Sequence, residues 1–146
     1  MHIKMIWAAL MLITLLGGGA GCRTAEPAAT APSPVGATWI LSATPLPDAP
    51  ARPAGMRIVT MQVTPEGRIA GCSGVNRYTG RVEVVPEQQV FRLPGPPAVT
   101  RMAGPGMEFE NYYLALLQKI DRYRFVGDRL ELLEGDKPIL EFRPAN

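Results

Sequence analysis

The sequence predicts a mainly β protein of the α+β class: a curved, partly closed, barrel-like antiparallel sheet of about 7–8 short strands with one packed helix. Two observations carry this prediction. From residue 38 onwards, short stretches that alternate apolar and polar residues are separated by turns rich in Gly, Pro and Asp, which is typical of antiparallel hairpins. One stretch, 106–122, instead repeats its apolar residues at a helical spacing.

The predicted strands share an alternating pattern and are rich in β-branched and aromatic residues. In chain order they are 38–43, 56–63, 68–72, 80–85, 90–93, 123–126, 130–133 and 139–142. Trp39, in the first of them, is expected to anchor the core. The stretch 45–55 holds four prolines and is expected to be a loop.

The predicted helix over 106–122 has one apolar face. Its members are Phe109, Tyr113, Leu116, Leu117 and Ile120, at offsets 0, 4, 7, 8 and 11. We expect this stripe to pack on the sheet, with Tyr112 off the face. Glu108 and Glu110 fall in the first turns, where the helix dipole favours acids, but they do not share a face and make a poor acid–base pair.

The start of the chain predicts export and a lipid anchor. Lys4 precedes an apolar run over 5–16, and small residues lead to Cys22, as in a lipoprotein signal peptide over 1–21. The pattern departs at Gly19, where leucine is usual, so an ordinary signal with Cys22 left as a thiol is the alternative. Residues 22–37, Ala/Pro-rich after the predicted lipidated Cys22, should form a flexible tether, with the folded domain over 38–146.

Charge and histidine content narrow the classes of function. The net charge is +2, and removal of 1–21 takes Lys4 away, leaving 14 basic and 13 acidic residues. The signs are interspersed, so no nucleic-acid surface is expected. The one histidine, His2, lies in the predicted signal peptide, so the mature chain would lack histidine-based catalysis and histidine-ligated metal. We expect no cofactor and no metal site.

The stretch 68–80, between two predicted strands, is the most distinctive motif. Gly71 and Gly74 permit backbone geometry that a side chain forbids. Asn76 tolerates positive φ and can bond its own neighbouring backbone. The stretch therefore predicts a tight, self-bonded corner, with ligand binding as the alternative. It is not a phosphate loop, because no Gly-Lys-Ser/Thr follows.

Together with Thr100-Arg-Met-Ala-Gly104 and Glu110-x-x-Tyr-Leu-x-x-Leu117, this stretch resembles the META, or HslJ-like, domain of bacterial envelope lipoproteins. The resemblance implies the β-rich fold and a link to heat shock and antibiotic tolerance, but no established chemistry. It implies a family-motif set, structural or binding, of Gly71, Gly74, Asn76, Arg77, Tyr78, Gly80, Thr100, Arg101, Met102 and Glu110. In such lipoproteins, Asp directly after the lipidated cysteine retains the protein in the inner membrane. Arg23 stands at that position here, which favours the outer membrane, facing the periplasm, in a host that has one.

Two further expectations concern charges and thiols. Arg101 is expected to pair with Glu110, with a surface arginine as the alternative. The family commonly has cysteines where this chain has Val75 and Gly104, so any redox or metal role does not carry over. Cys72 is expected to be a small buried hydrophobe, with an intermolecular bridge, or a bridge to an unlipidated Cys22, as alternatives.

Three hypotheses for function follow. The first is a non-catalytic envelope module, expected to be a monomer, held to the membrane through Cys22 and binding other envelope proteins. The second is a small-molecule carrier that uses the interior of the curved sheet, which a filled core would contradict. The third is an enzyme, which would require a buried carboxylate with a strongly shifted pKa in a cleft.

Overall fold

A computed structural model describes residues 31–145. This part of the chain forms one antiparallel sheet of ten strands, one α-helix and a short 3-10 turn at Pro86–Gln88. The strands are β1 (Thr38–Ala43), β2 (Thr60–Val63), β3 (Arg68–Cys72), β4 (Arg77–Arg81), β5 (Glu83–Val85), β6 (Val90–Arg92), β7 (Ala98–Val99), β8 (Arg122–Val126), β9 (Arg129–Glu134) and β10 (Lys137–Pro144), and the helix is α1 (Met107–Leu117).

The sheet runs in the order β5-β6-β8-β9-β10-β1-β2-β3-β4-β7. The first strand therefore lies near the middle, with the hairpin series β2–β4 on one side and the closing meander β8–β10 on the other. The sheet curls into a half-barrel around the helix, which confirms the predicted class. The strand count is ten instead of 7–8, because the chain divides at the buried Val82 and adds the two-residue β7 at the edge.

Two predicted elements are longer than the observed ones. The predicted strand 56–63 begins only at Thr60, and the predicted helix 106–122 covers Met107–Leu117. The helix ends there because Lys119 N–H bonds to the carbonyl of Leu116, which tightens the last turn. The apolar stripe is confirmed nonetheless: its five members, including Ile120 beyond the helix, are buried.

The space between the helix and the sheet is filled with side chains. Trp39 is buried in this core as predicted, with 5% of its surface exposed. The largest side chains with less than 2% exposure come from both layers: Tyr113, Tyr123, Phe91, Phe109, Phe142, Met61, Ile69, Leu117, Leu130, Leu132, Ile139 and Leu140. Dense packing of this kind leaves no room for a ligand between the layers, so the interior-carrier hypothesis is not supported.

The last part of the predicted tether lies on the domain. Tyr123 Oη donates to the carbonyl of Pro32 at 2.8 Å, and Trp39 Nε1 donates to that of Pro34 at 3.0 Å. Gly36 N–H bonds to the carbonyl of Val63 at 2.8 Å. Two aromatic side chains of the core thus hold residues that composition alone assigns to a flexible spacer. The predicted signal peptide, Cys22 and the first part of the tether lie outside the described residues.

No helix within residues 31–145 has the length and hydropathy needed to cross a membrane.

Candidate functional site

The corner between β3 and β4 is closed by its own backbone. Ser73 N–H bonds to the carbonyl of Asn76 at 2.8 Å, and Gly74 adopts φ 112°, which a residue with a Cβ rarely adopts. Arg57, on the neighbouring segment, donates its N–H to Gly74 O at 2.9 Å and its guanidinium to Val75 O. The corner is therefore tight, as predicted from its glycines, but it is also fixed from outside.

Glu110, in the first turns of α1, is the main external partner of this corner. Its Oε2 accepts hydrogen bonds from Ser73 Oγ at 2.6 Å, Val75 N–H at 3.0 Å and Asn76 N–H at 2.6 Å. Its Oε1 accepts one from Asn76 Nδ2 at 2.6 Å. Glu110 is only 2% exposed. The carboxylate thus connects the helix to the motif through charge-assisted bonds, which are stronger than neutral ones.

The pKa of Glu110 reflects two opposed effects. Burial favours the neutral acid and by itself raises the pKa. The hydrogen bonds from Ser73, Asn76 and Val75 stabilise the carboxylate and outweigh burial, so the net pKa lies below the ordinary glutamate value. Glu110 is consequently an ionised structural acceptor at neutral pH, and not a protonated acid ready to donate.

Asn76 links the corner to a third segment of the chain. Its Oδ1 accepts from Thr100 Oγ1 at 2.8 Å and from Met102 N–H at 2.7 Å, and its Nδ2 also donates to Met102 O at 3.0 Å. Asn76 does not adopt the positive φ that an asparagine tolerates. The predicted bonding to its own neighbouring backbone is wrong for the side chain, because that side chain reaches across to Thr100, Met102 and Glu110.

The predicted ion pair between Arg101 and Glu110 does not form. Arg101 is exposed, and the three ion pairs within residues 31–145 do not include it. Glu110 instead accepts hydrogen bonds from the neutral donors of Ser73, Val75 and Asn76. Arg101 lies between Thr100 and Met102 in the sequence. The Thr100 hydroxyl and the Met102 main chain bond to Asn76, whereas the Arg101 side chain is exposed to solvent.

A second polar connection lies below the corner. Tyr78 Oη donates to the carbonyl of Thr60 at 3.0 Å and lies 2.9 Å from Tyr113 Oη. Burial raises the pKa of both tyrosine hydroxyls, so they remain neutral donors. Gly71 makes this arrangement possible: a Cβ there would lie 2.0 Å from Thr60 O and 2.9 Å from Tyr78 Oη.

The remaining motif residues occupy supporting positions. Gly80 would place a Cβ 3.3 Å from Cα of Pro97. Thr100 Oγ1 accepts from Arg77 N–H at 3.1 Å, which holds the motif against β7. The side chains of Arg77 and Met102 are exposed, the latter by 52%. Of the ten motif residues, Arg77, Thr100, Arg101 and Met102 are the exposed ones.

A groove lies along one half of the sheet, from β1 to the β7 edge. It has a volume of about 780 Å³ and is lined by residues of β1, β2, β3, β4 and β7 and of the segment before β2. A smaller concavity of about 290 Å³ adjoins it and shares Arg57 and Ile58. The sequence analysis did not predict this surface. Its lining includes the polar residues that alternate with core residues along the strands, and such residues are also found on any solvent-exposed sheet face.

Cys72 lies in the wall of this groove and is half-buried. It is therefore less buried than the small buried hydrophobe that was predicted. The two alternatives, an intermolecular bridge and a bridge to Cys22, remain predictions, since Cys22 lies outside the described residues. Among residues 31–145, no group of three or more His, Cys, Asp or Glu side chains is placed to hold a metal ion.

The fold and the motif define a class: small, mainly β domains in which one helix is hydrogen-bonded to a glycine-rich strand corner. The family model of the META domain matches residues 34–146, and the chain belongs to that family. A protein from Burkholderia xenovorans, solved by NMR, has 27% sequence identity and a TM-score of 0.61, covering 85% of this chain and 98% of its own.

A DUF4847 family protein from Bacteroides vulgatus, solved by crystallography, has 17% identity and a TM-score of 0.44, covering 58% of this chain and 57% of its own. A search of curated proteins finds no match.

Proposed function

We propose that the chain is a non-catalytic lipoprotein of the bacterial cell envelope whose META domain acts by binding. The signal peptide over 1–21 exports the chain, Cys22 carries the lipid, and the anchor lies in the outer membrane facing the periplasm. The monomeric domain supports the envelope stress response or antibiotic tolerance through other envelope proteins. Its partners include no nucleic acid, and it uses no cofactor.

The observation that carries the non-catalytic role is the set of contacts to Glu110. An acid–base or nucleophilic site needs a group with free bonding capacity facing a substrate. Glu110 accepts four hydrogen bonds within the protein and lines neither of the two concavities. Ser73, its nearest hydroxyl, is fully buried. The buried part of the motif therefore holds the domain together, and binding is left to the exposed faces, to which Arg77 belongs.

The anchor rests on the sequence around Cys22. An apolar run, a series of small residues and a cysteine precede a short spacer and then the folded domain. A single acyl chain holds a membrane only weakly, whereas the several chains of a lipidated N-terminus hold it stably. The spacer between Cys22 and Ala31 is short, so the anchor would keep the domain close to the membrane.

The intact mass of the mature protein from its native membrane fraction tests this proposal. Wild type is expected to carry a lipid-sized mass increase and to stay in the membrane fraction, and Cys22→Ala is expected to lose both. Outer- and inner-membrane fractions separated by density then test the location. An unmodified wild-type chain in the soluble fraction would contradict the anchor and favour a secreted domain with a possible Cys22–Cys72 bridge.

The stress role has its own test. A strain that lacks the gene should grow less well under heat or antibiotic exposure, and the wild-type gene should restore growth. Cys22→Ala should restore it poorly if anchoring matters. Equal restoration by both variants would separate the stress role from the membrane anchor.

A further inference from the structure

Arginines are concentrated around the groove and the smaller concavity beside it, which together we call the outer face. Four arginines line it: Arg52, Arg57, Arg77 and Arg143. Within residues 31–145, no Asp or Glu lines either concavity, and none of these four arginines forms an ion pair. The ion-paired arginines of the described chain, Arg92, Arg124 and Arg129, line neither concavity.

This concentration is local and does not follow from the overall charge. The whole chain has a net charge of only +2, so cations and anions nearly balance over the molecule. A concave surface with one sign of charge concentrates its field and attracts ligands of the opposite sign. The outer face is therefore suited to an anionic ligand.

Two of the arginines are already held in place. Arg52 Nη1 donates to the carbonyl of Leu41 at 3.3 Å, and its guanidinium lies 5.0 Å from the ring centre of Phe109. The Arg57 guanidinium donates to the carbonyl of Val75. A guanidinium has five N–H donors, so each keeps donors for a ligand. Ligand binding would therefore cost little side-chain conformational entropy at these two arginines, since the protein has already restricted their rotamers.

The other two arginines mark the length of the outer face. Arg143 on β10 pairs with Ile40 on β1, and Ile40 pairs with Thr60 on β2. Thr60 Oγ1 accepts from Cys72 N–H on β3, and Cys72 pairs with Arg77 on β4. The two arginines are thus four strand spacings apart, or roughly 19 Å measured along the sheet at about 4.8 Å per spacing. That length matches about six residues of extended peptide.

The lining between the arginines is mixed in character. A parallel row formed by cross-strand pairing carries Thr38, Gln62, Ala70, Thr79 and Ala98. Ile58, shared by the two concavities, is 66% exposed. This extended lining contains small, amide, hydroxyl and apolar groups, so it suits a peptide with varied side chains. A compact phosphate would instead need donors clustered at one point.

We propose that the outer face binds an acidic peptide segment in extended form, such as an exposed stretch of another envelope protein. Carboxylates of the segment pair with Arg143 and Arg77 at the two ends and with Arg52 and Arg57 between them, while an apolar side chain covers Ile58. The proposal deepens the binding role proposed above and does not depend on the lipid on Cys22. A failure of lipidation and a failure of peptide binding are therefore separate results.

The test uses the mature protein in a neutral detergent and a fluorescein-labelled peptide in which Glu alternates with Val. Fluorescence anisotropy should show binding that weakens with added salt, as ionic contacts require. The matched peptide with Gln in place of Glu should bind at least tenfold more weakly. Bound peptide should also slow alkylation of Cys72, followed by mass spectrometry of the Cys72-containing fragment so that Cys22 does not interfere.

Charge reversal at the two ends provides the decisive variant. Arg77→Glu with Arg143→Glu should weaken binding of the Glu peptide by about tenfold or more, and circular dichroism should show an unchanged fold. Arg81→Glu is the matched control, since Arg81 is exposed on the same strand as Arg77 but lines neither concavity; it should change affinity by less than about twofold.

Three results would overturn the proposal. One is equal affinity for the Glu and Gln peptides, and a second is no binding of the Glu peptide at about 1 mM. The third is binding of tripolyphosphate or phosphatidylglycerol vesicles that is as tight as peptide binding and equally sensitive to Arg77→Glu with Arg143→Glu. That result would assign the outer face to anions in general.

Discussion

Glu110 Oε2 and the N–H of Asn76 lie 2.6 Å apart, across 34 residues of sequence. This bond and its three companions attach the helix to the corner of the sheet that the family motif forms. Because α1 covers the inside of the half-barrel, the attachment fixes the helix over the core. The motif therefore determines the position of the helix relative to the sheet.

Replacement of Glu110 by Gln should destabilise the domain strongly. The amide NH₂ would face donors from Ser73, Val75 or Asn76, so buried donors would lose their acceptor. We expect a loss of about 3 kcal/mol or more in the free energy of unfolding, measured by urea denaturation. Glu108→Gln is the matched control, because Glu108 is exposed on the same turn; equal losses in both variants would refute the role given to Glu110.

Stability should fall at acid pH through Glu110. Its pKa in the folded protein lies below the ordinary value of about 4.3 for an unfolded chain. As pH falls, Glu110 is therefore protonated in the unfolded state before it is protonated in the folded state. The stabilisation from its carboxylate is fully present above the unfolded-state pKa and is lost as pH falls through the folded-state pKa. Denaturation curves at several pH values should show a steeper acid decline for wild type than for Glu110→Gln. Parallel declines would contradict this.

Arg101→Ala should leave the melting temperature unchanged. The side chain is exposed and forms no ion pair within the described part of the chain. Substitutions at such positions change stability by about 0.5 kcal/mol or less. Differential scanning calorimetry of the variant and wild type gives the comparison. A clear drop in melting temperature would contradict this prediction and support the ion pair between Arg101 and Glu110 that was predicted from the sequence.

Gly71→Ala should prevent normal folding or reduce stability severely. The added Cβ would lie 2.0 Å from the carbonyl oxygen of Thr60, and the backbone on both sides belongs to a paired sheet, so neither atom can move cheaply. The loss should exceed about 3 kcal/mol. Gly95→Ala is the control, because no atom lies within 4 Å of its added Cβ, and it should melt with wild type.

Removal of the Tyr78 hydroxyl should reduce stability more than removal of the Tyr113 hydroxyl. Tyr113→Phe leaves Tyr78 Oη with its bond to Thr60 O and should cost about 1 kcal/mol. Tyr78→Phe removes both of its contacts and leaves Tyr113 Oη buried among apolar side chains, so it should cost about 2 kcal/mol or more. Thermal unfolding of both variants measures the difference. The reverse order would show that Tyr113 has a further acceptor.

Much of the fold could be predicted from the sequence, because burial repeats with the period of each element. The stripe of α1 and the alternation of β1, β2 and β8 are of this kind. The helix ended early since its last apolar residue, Ile120, can reach the core from a turn. The two-residue β7 is too short for any periodicity to show.

The candidate sites were harder to predict, since both depend on long-range geometry. Charge suggested Arg101 as the partner of Glu110, yet the actual donors are neutral and partly main-chain, and their direction depends on how the corner turns. The outer face depends on the register of five strands. A shift of one residue in any pair would place Cys72 or Thr79 on the core side, so no reading of single strands could have assembled it.

The pairing of β1 with β10 has a consequence for how the domain reaches its native state. Thr38 O accepts a hydrogen bond from Ala145 N–H at 2.8 Å, so the beginning and end of the domain are neighbours in the middle of the sheet. Chains dominated by such distant contacts fold slowly, in about milliseconds to seconds. One edge of β1 stays open until the last strand arrives, so the chain needs protection from aggregation until its final residues emerge.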